Sequence, residues 1–269
     1  FLTFEPHPRR YFRPNEPLFC LTPPALKASI AQRFGLDGMV TLAFNATLAQ
    51  TDARAFIEDH LIGSLGVGGL VIGHDFHFGK GREGSPAMIE AIGHRLGLPI
   101  AIVPALTEAG QPVSSSLIRK ALHQGNVDQA AKMLGYQWFV RGVVCHGDKR
   151  GRLLGYPTAN MVLAPDCALR HGIYAVRMAV ERVVYKGVAS FGSRPTFDDG
   201  APRLETFLFD FEGDLYDRLV DVELVDFLRG EAKFDDVQAL IAQMDQDSAR
   251  ARAILDAKRD PDVVSLLPF

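Results

Sequence analysis

Apolar residues change their spacing near Tyr136, and the change demands two architectures in one chain. From Phe1 to about Leu134, short apolar runs alternate with amphipathic stretches. Strands are expected at Leu2 to Phe4, Met39 to Phe44, Leu70 to Gly73 and Pro99 to Val103. Between them, helices are expected over Pro23 to Phe34, Asp52 to Leu65 and Pro86 to Leu96, the first opened by Thr22 as an N-cap with proline just inside. Alternating strand and helix imply a parallel sheet with helices on its faces, because a crossover between parallel strands has room for a helix and a fixed hand. Ligands of such sheets bind beyond the carboxyl ends of the strands. Polar residues gather there: Pro6 to Pro8 after the first strand, Asn45 to Thr47 after the second and Gly73 to Gly81 after the third.

After Tyr136 the strands follow one another without helices. They are expected at Val140 to Cys145, Ala159 to Leu163, Ile173 to Val180, Val184 to Phe191, Leu204 to Phe211 and Leu219 to Phe227, which suggests an antiparallel barrel or sandwich. Asp235 to Lys258 then places Val237, Leu240, Ile241, Met244, Ile254 and Leu255 close to helical spacing, as a helix packed on that barrel requires. The fold class is therefore α/β, a parallel-sheet domain followed by an antiparallel barrel or sandwich and a long terminal helix. At 269 residues the chain can bury two cores, and the border is expected near Leu134 to Phe139.

No run approaches the roughly 20 apolar residues of a membrane span. A net charge of −3 gives no global attraction to nucleic acid or to an anionic membrane, so any anion site must be built locally and the partners expected are small molecules. Cys20, Cys145 and Cys167 have no C-x-x-C spacing, which fits a reducing cytoplasm better than a disulfide framework or a structural zinc. Phe1 opens the chain inside a strand-like run, so a preceding segment is expected.

Three stretches carry chemistry. In "GDKRGRLLGYPTAN", Gly147, Gly151 and Gly155 permit close backbone approach while Lys149, Arg150 and Arg152 supply charge. A phosphate cradle and a glycine-rich hairpin with solvated cations suit these residues equally well. The tail adds weight to the first reading: if Pro157 leads into a strand, Thr158 and Asn160 project from one face about 7 Å apart, and a hydroxyl and a carboxamide oxygen are suitable ligands for Mg²⁺. In "RLETFLFDFEGDLY", Glu205 heads a row with Phe207, Phe209 and Phe211. In a ligand cavity such a carboxylate would be desolvated toward a useful base; alone, it fits a strand-end glutamate reaching water better. In "VSSSLIR", Ser114 to Ser116 can cap a helix whose free amides attract phosphate, with Arg119 one turn in. His7, His74 and His77 lack a recognised zinc spacing, so a metal role for them is disfavoured.

"GDKRGRLLGYPTAN", "GIYAV", "GVASFGSRPTF", "LETFLFDFEGDLY" and "FLRGEAKF" occur in order over Tyr136 to Lys258 and resemble the motifs of the riboflavin kinase domain. That resemblance implies a six-stranded barrel, Mg²⁺ of ATP on Thr158 and Asn160, and Glu205 as the base on the ribityl hydroxyl. It implies ATP phosphates against Gly147, Gly151, Arg152, Gly155 and Pro157, and flavin beside Arg229 and Phe234. Asp217 stands where the family usually has glycine, so a local turn change is expected.

"TFEPHP", "GHDFHFGKGREG" and "VSSSLIR" resemble the FMN adenylyltransferase domain of bacterial FAD synthetases, a Rossmann-like nucleotidyltransferase. By that resemblance His7, Asp75, Phe76, Ser115, Ser116 and Arg119 line its site. The two domains would be residues 1–135 and 136–269. The family's opening G-x-F-D-G-x-H-x-G-H signature is absent here, so adenylyl transfer is expected only with a segment that supplies it. The function implied is phosphorylation of riboflavin to FMN and, in the complete protein, adenylation of FMN to FAD. The rival reading is a flavin- or nucleotide-binding module without turnover; a nucleic-acid-binding barrel is disfavoured because no stacking aromatics interleave with its basic residues.

Overall fold

A computed structural model describes residues 1–108, 110–147, 151, 154–181, 183–193 and 201–258. The first half runs β1 (Leu2–Glu5), α1 (Pro8–Phe12), α2 (Pro24–Arg33), β2 (Val40–Ala43), α3 (Ala46–Gln50), α4 (Ala53–Ala55) continued as a π-helix (Phe56–Ser64), then β3 (Leu70–Gly73). It continues with α5 (Pro86–Leu96), β4 (Ile100–Val103), the short strands β5 (Thr107–Glu108) and β6 (Gln111–Pro112), α6 (Ser115–His123) and α7 (Val127–Leu134). The second half contains β7 (Phe139–Val143), β8 (Thr158–Val162), β9 (Gly172–Val180), β10 (Val183–Ser193), β11 (Pro202–Leu208), β12 (Leu219–Arg229) and α8 (Val237–Ala257). Among the described residues no helix is long and apolar enough to cross a membrane.

The chain forms two compact units, one of Phe1–Leu18 with Met39–Val113 and one of Phe19–Gly38 with Ser114–Phe269. This division differs from the border expected near residue 135. Helices α6 and α7 bury Ile118, Leu122, Val127 and Ala130. Arg170 N donates to Leu122 O at 3.1 Å. The 19–38 segment is tied in by Arg119 Nε to Phe19 O at 2.6 Å and Trp138 Nε1 to Leu21 O at 2.9 Å. Helix α2 starts later than its expected cap: Thr22 does not cap it, because the residue before a proline is driven out of the helical region, and Pro23 takes the cap position with ψ 153°.

In the first unit the short β5 and β6 pair antiparallel, while the other strands pair in parallel as expected, as two separate ladders, β1 with β2 and β3 with β4. Their apolar faces meet Phe56, Ile57, Leu61, Ile89 and Ile92 from the helices. In the second unit all six strands pair antiparallel in the order β7-β12-β9-β10-β11-β8, and a bridge between Cys145 and Asn160 brings the chain beyond β7 against β8, almost closing the barrel. Burial alternates along β11: Leu204, Thr206 and Leu208 are buried, whereas Arg203, Glu205 and Phe207 are half-buried. Phe207 packs with Ala251 and Leu255, so the half-buried row faces α8.

β11 stops three residues short of the expected end. Asp210 adopts φ +55°, which breaks the extended chain. Phe209 stays under α8, with the Arg252 guanidinium 4.2 Å from its ring centroid, while Phe211 leaves the row to meet Tyr185 edge-on. Asp217 takes φ +60°, the left-handed conformation that glycine adopts freely and aspartate tolerates, which accounts for the glycine usual there in the resembling family. Arg141 of β7 lies directly opposite Asp221 of β12 and holds it with two hydrogen bonds of 2.7 Å.

Candidate active site

The register of β8 and β11 decides which side chains of the second unit meet. Thr158 is paired with Phe207 and Asn160 with Glu205, while Glu205 is paired with Ser190 on its other side. Residues directly opposite in an antiparallel pair project from the same face, so Thr158, Asn160, Glu205 and Phe207 share one. A cavity of about 680 Å³ opens on that face, lined by Thr158, Ser190, Glu205 and Phe207 from the barrel and by Leu240, Met244 and Asp247 from α8. Asn160 is buried, and its Nδ2 donates to Thr158 O at 3.1 Å and to Thr158 Oγ1 at 3.4 Å.

Gly147 and Gly151 fit closely around these groups. A Cβ on Gly147 would stand 2.6 Å from the Asn160 carboxamide, and one on Gly151 2.3 Å from Tyr156 O. Gly155 takes φ +85° and so permits the turn into Tyr156. The buried Tyr156 hydroxyl donates to Asp245 of α8; burial first, and the Asp245 carboxylate second, hold this phenol above its ordinary pKa. Gly151 lines the large cavity, whereas Pro157 lines a smaller one of about 80 Å³ that shares Thr158 with it. Arg152 lies outside the described residues, as do Lys149 and Arg150.

Arg229 and Phe234 line the large cavity together with Glu231 and Lys233. The Arg229 guanidinium is gripped by Asp247 through Nε at 3.0 Å and Nη2 at 2.7 Å, and its Nη1 donates to Gly230 O at 2.9 Å. The same guanidinium lies 5.8 Å from the centroid of the Phe234 ring.

The first unit has its own cavity of about 800 Å³, lined by His7, Phe76, Phe4, Phe12, Phe44, Phe56 and Phe78, with Arg9, Arg13 and Arg82 among its polar residues. Phe76 and Phe78 stack at 5.3 Å, and the His7 Nδ1 accepts from Arg9 N at 3.1 Å, capping α1. Asp75 is exposed at the end of the β3 turn and is not among the lining residues. Ser115, Ser116 and Arg119 belong to the second unit: Ser114 caps α6 by accepting from Leu117 N, Ser115 and Ser116 are exposed, and Arg119 holds Phe19 O. Among the described residues, no three His, Cys, Asp or Glu side chains gather as a metal site.

Sequence reasoning missed the phenylalanine lining of the first cavity, because Phe12, Phe44 and Phe56 come from separate elements. It also assigned no chemistry to α8. A signal was present there: Asp247 interrupts the apolar stripe Leu240, Met244, Ala251, Leu255, where a carboxylate needs a partner to be buried.

Residues 134–255 match the family model for riboflavin kinase and residues 1–117 that for FAD synthetase. The bifunctional riboflavin kinase/FMN adenylyltransferase of Bacillus subtilis is 36% identical over 93% of this chain and 80% of its own length. The Escherichia coli protein of the same description is 34% identical over the same shares. A solved structure described as a macrolide-efflux protein from Streptococcus pneumoniae is 32% identical, with a TM-score of 0.82 over 93% of this chain and 82% of that one.

Proposed function

Because the chain belongs to the bifunctional riboflavin kinase/FMN adenylyltransferase family, we propose that each of its transfers is carried by a separate set of the residues described above. The chain is an enzyme of flavin cofactor synthesis, with ATP, riboflavin, FMN and FAD as its substrates and products. In the kinase reaction the terminal ribityl hydroxyl oxygen attacks the γ-phosphorus of ATP. A new O–P bond forms, the bond from that phosphorus to the β,γ-bridging oxygen breaks, and ADP leaves. The hydroxyl proton goes to the Glu205 carboxylate, which acts as general base.

The observation that carries this reading is the β8–β11 pairing, which sets Glu205 opposite Asn160 and one step from Thr158 on a face that opens into a cavity. The flavin ring is assigned to that cavity, between Phe207, Phe234 and the apolar side of α8. Gly147, Gly151 and Gly155 bring backbone amides to the ATP phosphates. Mg²⁺ fits the donor set: Thr158 Oγ1 and Asn160 Oδ1 are hard oxygen ligands, and Thr158 engages the carboxamide nitrogen so that the oxygen is the group left to offer. An ion held by these two side chains would supply charge to neutralise the phosphates. For adenylation, in which the FMN phosphate attacks the α-phosphorus of ATP and pyrophosphate leaves, the phenylalanine-lined cavity suits a stacked aromatic ring, with His7, Arg9 and Arg82 as its phosphate-facing groups.

The test is FMN formation from riboflavin, ATP and Mg²⁺, followed by chromatography. Glu205→Gln should lower turnover by roughly 10²- to 10⁴-fold, the range of a lost general base, while riboflavin still binds. Full activity in that variant would remove Glu205 from the mechanism. Binding of riboflavin with no FMN produced by the unaltered chain would favour a module without turnover.

A further inference from the structure

Asp247 is a buried carboxylate on the face of α8 that walls the kinase cavity. Both of its oxygens lie within 3.0 Å of Arg229 Nε, and Gln243, one helical turn earlier, donates Nε2 to Oδ1 at 3.0 Å. Arg229 is the last residue of β12, so this clasp sits where the barrel gives way to the segment carrying Glu231, Lys233 and Phe234. With Nε and Nη2 held by Asp247 and Nη1 by Gly230 O, the guanidinium plane is fixed, and its remaining N–H groups are the ones able to meet a ligand in the cavity. The cavity also contains Glu205 and Glu231, two carboxylates that would compete for an arginine released from its clasp.

The clasp is not the only anchor of α8 on the barrel. Ala251 and Leu255 are buried against it, Arg250 Nη1 donates to Leu228 O at 2.9 Å, Arg177 Nη2 donates to Lys258 O at 2.9 Å, and Lys258 Nζ donates to Val225 O at 3.1 Å. A polar side chain set in an apolar stripe whose helix is already anchored elsewhere has another task. We propose that Asp247, supported by Gln243, is a positioning residue that sets riboflavin affinity by holding Arg229 in one orientation over the cavity. This rests on the assignment of the flavin to that cavity.

Steady-state kinetics with each substrate varied in turn, combined with thermal melting, test it. Asp247→Asn removes the charge at nearly constant volume. It should raise the riboflavin KM at least about tenfold, the equivalent of one charge-assisted hydrogen bond, while the ATP KM stays within about twofold. Asp247→Glu should recover part of the loss. Gln243→Leu, which leaves the carboxylate in place, should shift the riboflavin KM in the same direction by roughly threefold, and it serves if Asp247→Asn does not fold. Arg250→Ala should lower the melting temperature without splitting the two KM values.

An unchanged riboflavin KM in Asp247→Asn, an equal rise in both KM values, or the same split in Arg250→Ala would overturn the proposal while leaving the kinase reading intact. Failure of the unaltered protein to phosphorylate riboflavin would overturn both.

Discussion

Gly147→Ala isolates the contact on which the proposed Mg²⁺ arrangement depends. The backbone at Gly147 is not in the left-handed region, so alanine introduces no φ strain there. Its methyl group would instead stand 2.6 Å from Cγ and Nδ2 of Asn160 and 2.7 Å from Oδ1. Ordinary contact begins near 3.4 Å, so the carboxamide must recede by about 0.8 Å. Retreat strains the hydrogen bonds from Nδ2 to Thr158 O and Oγ1, at 3.1 and 3.4 Å, that hold the amide in place. A misplacement of about 1 Å at a reacting centre can cost on the order of 10²-fold in rate. Overpacking of this kind costs roughly 1 to 3 kcal/mol of stability. We therefore expect FMN formation to fall about 100-fold, with a higher Mg²⁺ concentration needed for half-maximal rate and a melting temperature only a few degrees lower. The assay is FMN formation across a Mg²⁺ titration at saturating riboflavin. Unaltered turnover and Mg²⁺ dependence in a folded Gly147→Ala protein would show that the Asn160 carboxamide does not hold the nucleotide's metal.

Two further outcomes follow from the second unit. Asp221→Ala would leave Arg141, whose side chain is only 11% exposed, without its carboxylate, at a cost of about 3 to 5 kcal/mol and a fall of roughly 10 °C in the melting temperature; a melt within about 2 °C of the parent would contradict this. Burial pushes the Cys167 thiol up to about 11, so only about one thiol in a thousand is thiolate at pH 8. Mass-spectrometric mapping after alkylation at that pH should find Cys167 unmodified until the protein is denatured, and rapid labelling of the native protein would refute the burial argument.

The elements that were legible in the sequence are those whose burial is set locally. Each of the six barrel strands falls within a few residues of its expected place, because alternation along a strand is fixed by which neighbours can be buried. Thr158, Asn160 and Glu205 were legible as residue types suited to the chemistry proposed for them, and the two-residue step from Thr158 to Asn160 set that pair on one face. Less legible were features that depend on distant partners. Asp210 ends β11 through a left-handed φ that its neighbours did not announce, and Pro23 displaces Thr22 from the cap of α2 through a clash with the next ring. Helices α6 and α7 join the barrel's compact unit because their apolar faces are buried there, which the spacing of those residues leaves open.

Amphipathic period, turn residues and the family motifs therefore determined the fold class, the order of the elements and the kinds of side chain available for chemistry, since these follow from backbone geometry and from residues close in the chain. Tertiary structure alone decided that Asn160 stands opposite Glu205, that Gly147 is pressed against the carboxamide, and that Asp247 holds Arg229. Strand register, close backbone approach and the partner of a buried charge are settled by chain segments far apart in sequence, and they become fixed only when packing brings those segments together.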